Sequence, residues 1–139
     1  MKKALVRLCY ILILISFYSC SLDGDDENFQ FTVLETVTAD FPEAFELNGM
    51  YNIEVILRRP NGCTFFEGFE ANSPALTTRI VSAVGTVLTD QPCTEAIEEV
   101  TATFNFRVDF TDTYLFQFYA GVDQAGNPIF IDYEVPVNQ

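Results

Sequence analysis

Period-two alternation of apolar and polar positions dominates this chain. From Thr101 to Phe110, the residues Ala102, Phe104, Phe106, Val108 and Phe110 fall on one side, with Thr101, Thr103, Asn105, Arg107 and Asp109 on the other. Side chains of a strand point alternately to its two faces, so this run predicts a half-buried strand. Residues 51–58 alternate almost as well. Residues 129–137 set Ile129, Ile131, Tyr133, Val135 and Val137 against Asp132 and Glu134. Pro136 removes a ladder donor there, which suits an edge or a strand end. Residues 29–38, 63–69 and 114–119 read as further strands. Residues 77–88 are ambiguous, because Ile80, Val84 and Leu88 have helical spacing. Thr, Val and Ile dominate that segment and Gly85 lies inside it, which favours one strand or two over a helix. Residues 95–100 have room for one helical turn.

Turn chemistry separates these runs. Arg59-Pro60-Asn61-Gly62 puts Pro where its fixed φ initiates a turn, with Asn-Gly behind it. Asp123-Gln124-Ala125-Gly126-Asn127 joins two strands as a hairpin loop. Seven or so short strands without a long amphipathic helix predict an all-β fold, an antiparallel β-sandwich occupying residues 29–139.

Asp112-Thr113-Tyr114-Leu115-Phe116 resembles the Asp-x-Tyr approach to the penultimate strand of immunoglobulin-like domains. The resemblance implies a corner tyrosine, Tyr114, whose hydroxyl bonds back to the backbone upstream. Antibody domains carry a cysteine two positions after that tyrosine and a core tryptophan. Here Phe116 holds the position and Trp is absent, so the similarity is to the wider immunoglobulin-like and fibronectin-like set.

The first 28 residues follow a different logic. Lys2, Lys3 and Arg7 precede an apolar run over residues 8–18 that is broken only by Ser16. A basic stretch followed by a short apolar one is a secretory signal pattern. A membrane-spanning helix needs about 20 apolar residues, more than this run has. Phe17-Tyr18-Ser19-Cys20 resembles the lipobox of bacterial lipoproteins. It implies cleavage of a signal helix over residues 1–19 and lipid on Cys20, with two or three acyl chains (palmitate among them) as the membrane anchor. The acidic run after Cys20, within a tether of residues 20–28, resembles the surface-export signal of Bacteroidota lipoproteins. It implies an outer-membrane, surface-exposed location. The plainer reading is a solvated, self-repelling tether. Asp23, Asp25 and Glu27 alternate, but the Gly and bidentate Glu of an EF-hand loop are missing.

Composition narrows the function classes. Beyond residue 19 the chain has 20 acidic residues against Arg58, Arg59, Arg79 and Arg107 and no Lys; four minus twenty leaves −16. Such a surface repels phosphate backbones, so nucleic acid is not an expected partner. Without His, neither Ser-His-Asp nor Cys-His catalysis is available. Without Lys in the exported part, Schiff-base chemistry and a Walker loop are excluded as well. Among 20 acids some pair will lie 5 to 10 Å apart by chance, a spacing glycoside hydrolysis uses, so a carboxylate pair alone is unspecific. The densest cluster is Glu95, Glu98 and Glu99, which reads as a solvated face before it reads as a hydrolase.

Cys9 leaves with the signal and Cys20 carries lipid, so Cys63 and Cys93 remain. In an exported chain these are expected to form a disulfide. Free buried thiols, or metal ligands completed by carboxylates, are the alternatives, the latter uncommon for zinc. No cofactor is expected. The expected role is a non-catalytic binding or interaction module with a protein or glycan partner. Its candidate contact groups are Tyr119, Asp123, Asn127 and Phe130 around the last hairpin, together with Phe65, Phe66 and Phe69. A structural subunit or spacer of a surface assembly is the alternative, docking through an exposed sheet edge.

Overall fold

The computed structural model describes residues 28–138. The signal segment, Cys20 and the acidic tether up to residue 27 lie outside the described residues, as does Gln139. The described chain is all-β. Its strands are β1 (Phe29–Asp40), β2 (Phe45–Glu46), β3 (Met50–Arg59), β4 (Thr64–Ala75), β5 (Thr78–Leu88), β6 (Glu98–Arg107), β7 (Tyr114–Val122), β8 (Pro128–Val135) and β9 (Val137–Asn138).

Seven of them form one curled sheet in the order β6-β3-β1-β5-β7-β8, with β4 on β5 as well. The curl follows from β1, which changes partner halfway. Its first half pairs with β5, from Phe29 opposite Leu88 to Leu34 opposite Ala83. Its second half pairs with β3, from Glu35 opposite Arg58 to Asp40 opposite Glu54, with an irregularity between Thr36 and Thr38. A strand shared in this way folds one flank of the sheet over the other, an arrangement compatible with a β-sandwich.

The alternating runs supply the facing surfaces. Ile53, Val55 and Leu57 of β3 and Ala102, Phe104 and Phe106 of β6 are buried against Tyr114, Phe116 and Phe118 of β7 and Val81 and Ala83 of β5. Strands β6 and β7 are not hydrogen-bonded neighbours, yet the Phe106 and Phe116 ring centroids lie 4.9 Å apart, edge to face. Phe104 meets Phe118 edge-on at 6.0 Å. These contacts cross the core between the two flanks. Phe45, fully buried, closes one end with its ring 5.7 Å from Phe106.

Two expectations are corrected. The sheet is mixed: β5 and β7 pair in parallel, Thr78 opposite Leu115 through Val81 opposite Phe118, and the small β2–β9 pair is parallel too. A parallel pair needs a long crossover, and here β6 provides it by crossing on the opposite flank. Residues 95–100 form no helical turn. Glu98 and Glu99 already pair with Arg59 and Arg58 of β3, and the ladder bonds leave no backbone groups for a helix.

The ambiguous segment is a single strand, β5. Its glycine is a contact requirement: a Cβ on Gly85 would lie 2.5 Å from the Phe65 carbonyl oxygen and 3.1 Å from Leu34 Cδ1. Strands β4 and β1 press on β5 from either side at that point. The last apolar run splits at Pro136, whose carbonyl accepts a bond from Phe45 N–H at 2.8 Å.

Candidate functional site

The described surface has a feature the alternation rule does not anticipate, beyond the exposure of Ile129 at the start of β8. In β1, Phe29, Phe31 and Val33 are apolar at every second position, the pattern of a core-facing set. They point outward instead: Phe31 is 71 % exposed and Val33 46 %, while Leu34 and Thr36 turn inward. Directly opposite on β5 stand Leu88, Thr86 and Val84, all half-buried. The inward face of β5 is taken by Val81, Ala83 and Gly85.

The result is an apolar strip on the outer face of the sheet, hollowed into three adjoining shallow grooves of about 340 to 370 Å³. Phe29, Phe31, Thr86 and Leu88 line the first with Glu67. Phe31, Val33 and Val84 line the second with Glu70. Residues 32–35 line the third on one side, with Arg58, Pro60, Ile97 and Tyr119 around them. Phe31 and Val33 are the shared walls, so the three are continuous. The Phe29 and Phe31 rings sit edge to face at 5.5 Å.

The strip is bordered by acid. Glu67 accepts a hydrogen bond from the Thr86 hydroxyl at 2.6 Å, and Glu70 is exposed. The arginines are already engaged, Arg58 at the third groove and the others away from the strip. Arg58 pairs with Glu35 at 3.1 Å, Arg59 with Glu98 at 3.6 Å and Arg107 with Asp109 at 2.7 Å. Arg79 donates to the carbonyls of Ala75, Leu76 and Thr78 and lies over the Tyr114 ring at 5.5 Å. Among the described residues, no ion pair takes Glu67 or Glu70.

The residues singled out from sequence meet different fates. Cys63 and Cys93 are joined by a disulfide across a separation of 30 residues. It ties the turn before β4 to the segment before β6. Tyr119 and Phe130 lie on the outer face with rings 6.4 Å apart, and Phe65 is exposed beneath the Arg59 guanidinium. Phe66 and Phe69 pack against the core instead. Asp123 and Asn127 are used up inside their own loop. Asp123 Oδ1 accepts from Ala125 and Asn127 N–H at 2.8 Å each, and Oδ2 accepts from the Asn127 amide at 2.9 Å. The Asn127 side chain is the main cause that holds the Asp123 carboxyl below its ordinary 3.8. Glu95, Glu98 and Glu99 are exposed, Glu98 in its bond to Arg59.

Comparison with protein-family models, with curated proteins and with solved structures gives no match. Among the described residues no group of three His, Cys, Asp or Glu side chains comes together as a metal site. No helix among them is long and apolar enough to cross a membrane. The strip itself offers surface and few polar groups: the carboxylates of Glu35, Glu67 and Glu70, the hydroxyls of Thr32, Thr86 and Tyr119, and the Arg58 guanidinium around an aromatic and aliphatic floor.

The Phe29–Phe31–Val33 strip escapes a sequence reading that stops at periodicity. One signal was present. Val33 and Leu34 are adjacent apolar residues, so the apolar phase changes there, and one of the two sets must face out unless both sides are covered.

Proposed function

We propose that this chain is a lipoprotein of the bacterial cell envelope, tethered by lipid on Cys20 and facing outward. Its immunoglobulin-like β-domain acts as a non-catalytic binding module. The observation that carries the reading is the outward-facing strip. A ring as exposed as Phe31 beside Val33 and Val84 loses hydrophobic free energy in water and recovers it only when covered. Leu34 already serves the core at this strand, so nothing in the packing requires Phe31 to be aromatic.

Two further features support the reading. The Cys63–Cys93 bridge suits a compartment where disulfides persist. The Tyr114 hydroxyl accepts from the N–H groups of Asp109 and Phe110, at 3.1 and 3.0 Å, in the manner of the corner tyrosine. The short tether keeps the strip near the membrane: residues 20–28 reach at most about 30 Å fully extended.

Site-specific photo-crosslinking in the producing cell tests it. A benzoylphenylalanine at position 31 or 33 is expected to give a discrete adduct. The same group at Leu76, also exposed but away from the strip, is expected to give none. The adduct should vanish with Cys20→Ala, which loses the anchor. No adduct at 31 or 33 in the Cys20-bearing chain would end the proposal.

A further inference from the structure

Phe29, Phe31 and Val33 present more than side chains. Thr89 N–H donates to the Asn28 carbonyl at 2.9 Å, so Asn28 turns its backbone toward β5. In an antiparallel ladder that direction alternates residue by residue. Gln30, Thr32 and Leu34 therefore bond toward β5, and Phe29, Phe31 and Val33 aim their N–H and C=O groups the other way. The Leu88 N–H agrees: standing opposite Phe29, it turns from β1 and donates to Cys63 on the β4 side at 3.0 Å. On its far side β1 meets β3 only from Glu35 onward. Among the described residues, the edge from Phe29 to Val33 pairs with no strand.

The third groove lies beside this edge. β3 ends at Arg59 and the chain turns away at Pro60, leaving a slot between residues 32–35 and Pro60 and Ile97, with Tyr119 and Arg58 also in its lining, the Arg58 charge met by Glu35 at 3.1 Å. Ile97 is 67 % exposed. Among the described residues, Val33 offers the slot a free N–H and C=O on one wall, continuing the free edge from Phe29 and Phe31, and Pro60 and Ile97 stand on the other beside Arg58.

We infer that a partner protein docks here by strand addition, as an extended basic and apolar segment laid along β1 from Phe29 to Val33. This rests on the binding-module reading above and specifies its ligand. One N–H and one C=O at each of Phe29, Phe31 and Val33 provide the ladder. Apolar side chains on the inward positions of the added strand fill the slot against Pro60 and Ile97. Long cationic side chains on its outward positions lie across Phe31 and Val33, covering them with their aliphatic stems. Their charged heads point toward Glu67 and Glu70.

Charge decides between occupants. A second copy of this chain would bring a like excess of acid to the same edge, and an anionic lipid surface is repelled in the same way. A glycan needs many hydroxyl partners, whereas the Thr86 hydroxyl and Glu67 already satisfy each other and the floor is apolar.

The test uses the full chain in neutral detergent and two end-blocked eight-residue peptides, one alternating Val and Arg, the other Val and Glu. The basic peptide is expected to bind at least tenfold more tightly. The Glu67→Gln/Glu70→Gln double variant should reduce that preference severalfold. On binding, amide hydrogen exchange should slow at Phe29, Phe31 and Val33 and stay unchanged at Gln30, Thr32 and Leu34, which already bond to β5. Phe31→Pro, which removes an edge donor, should weaken binding at least tenfold. If that variant does not fold, Phe31→Thr, expected to leave the alternating protection in place, serves as the folded control. Equal binding of both peptides overturns the inference, and so does protection without alternation. Either outcome leaves the crosslink at position 31 intact, so the failure of strand addition is distinguishable from failure of the binding-module reading.

Discussion

At the scale of single residues, Tyr114 and Asp123 show how a polar group becomes structural. Tyr114 is fully buried, and its oxygen is the acceptor for two backbone donors at the turn after β6. Tyr114→Phe keeps the ring and strands those donors, a loss of about 1 to 3 kcal/mol. Urea unfolding of the variant should show it as a lower midpoint with unchanged slope; an unchanged midpoint would mean the corner bonds contribute nothing net. Asp123 is exposed, and its effect is local. Its folded-state pKa is depressed by the Asn127 amide first and by backbone donors of the loop after that. A depressed carboxyl stabilises the loop above its unfolded value, and that contribution disappears as pH falls through the folded value. An NMR titration should place the Asp123 midpoint below 3.8, with the Ala125 and Asn127 amides moving together. A midpoint at or above that value would contradict the hydrogen bonds. Tyr114 was legible in sequence through the Asp-x-Tyr spacing. The fate of Asp123 was not, because an Asp in a loop is equally suited to capping its own turn and to meeting a ligand.

At the scale of elements, β1 determines most of the architecture, since its two halves belong to different pairings. The Cys63–Cys93 bridge acts on connections that the ladders hold less firmly. It joins the β3–β4 turn to the extended segment before β6, where Gly62 N–H also bonds to the Thr94 carbonyl at 3.0 Å. Closing a loop of this length restricts the unfolded chain by about 3 to 4 kcal/mol on the chain-entropy model. A Cys63→Ala/Cys93→Ala chain should lose that much by denaturant unfolding, and should give no mass shift on reduction where the natural chain gains two hydrogen atoms, its two electrons supplied by the reductant. A loss below about 1 kcal/mol would indicate that the segment before β6 is held without the bridge. The strands themselves were readable from alternation, down to the turn at Asn61, whose side chain accepts from Cys63 N–H at 3.0 Å. Their partners were not. A run such as residues 78–88 states that it is extended, but not that β7 will lie beside it in parallel.

At the scale of the whole molecule, acidity is the governing property. The four arginines are committed to Glu35, Glu98, Asp109 and backbone carbonyls, which leaves most carboxylates of the described residues without a cationic partner. Raising salt from about 10 to 150 mM shortens the screening length from about 30 to 8 Å. Self-repulsion then weakens, so the urea midpoint at neutral pH is expected to rise. A fall would show that the three ion pairs outweigh the unpaired excess. The same field favours a cationic partner over a second copy, and it acts on the outer strip of β1, where apolar surface and unpaired backbone coincide.

Local chemistry was enough to establish an all-β chain, the interior of β3 and β6, the corner tyrosine and the cysteine pair. Each of these depends on neighbours in sequence, on a period of two or on which residue types remain. The direction in which Phe29, Phe31 and Val33 point depends on what covers them. A strand with apolar residues on both faces can turn either set inward, and only the packing of β5, β3 and the opposite flank chose Leu34 and Thr36 for the core.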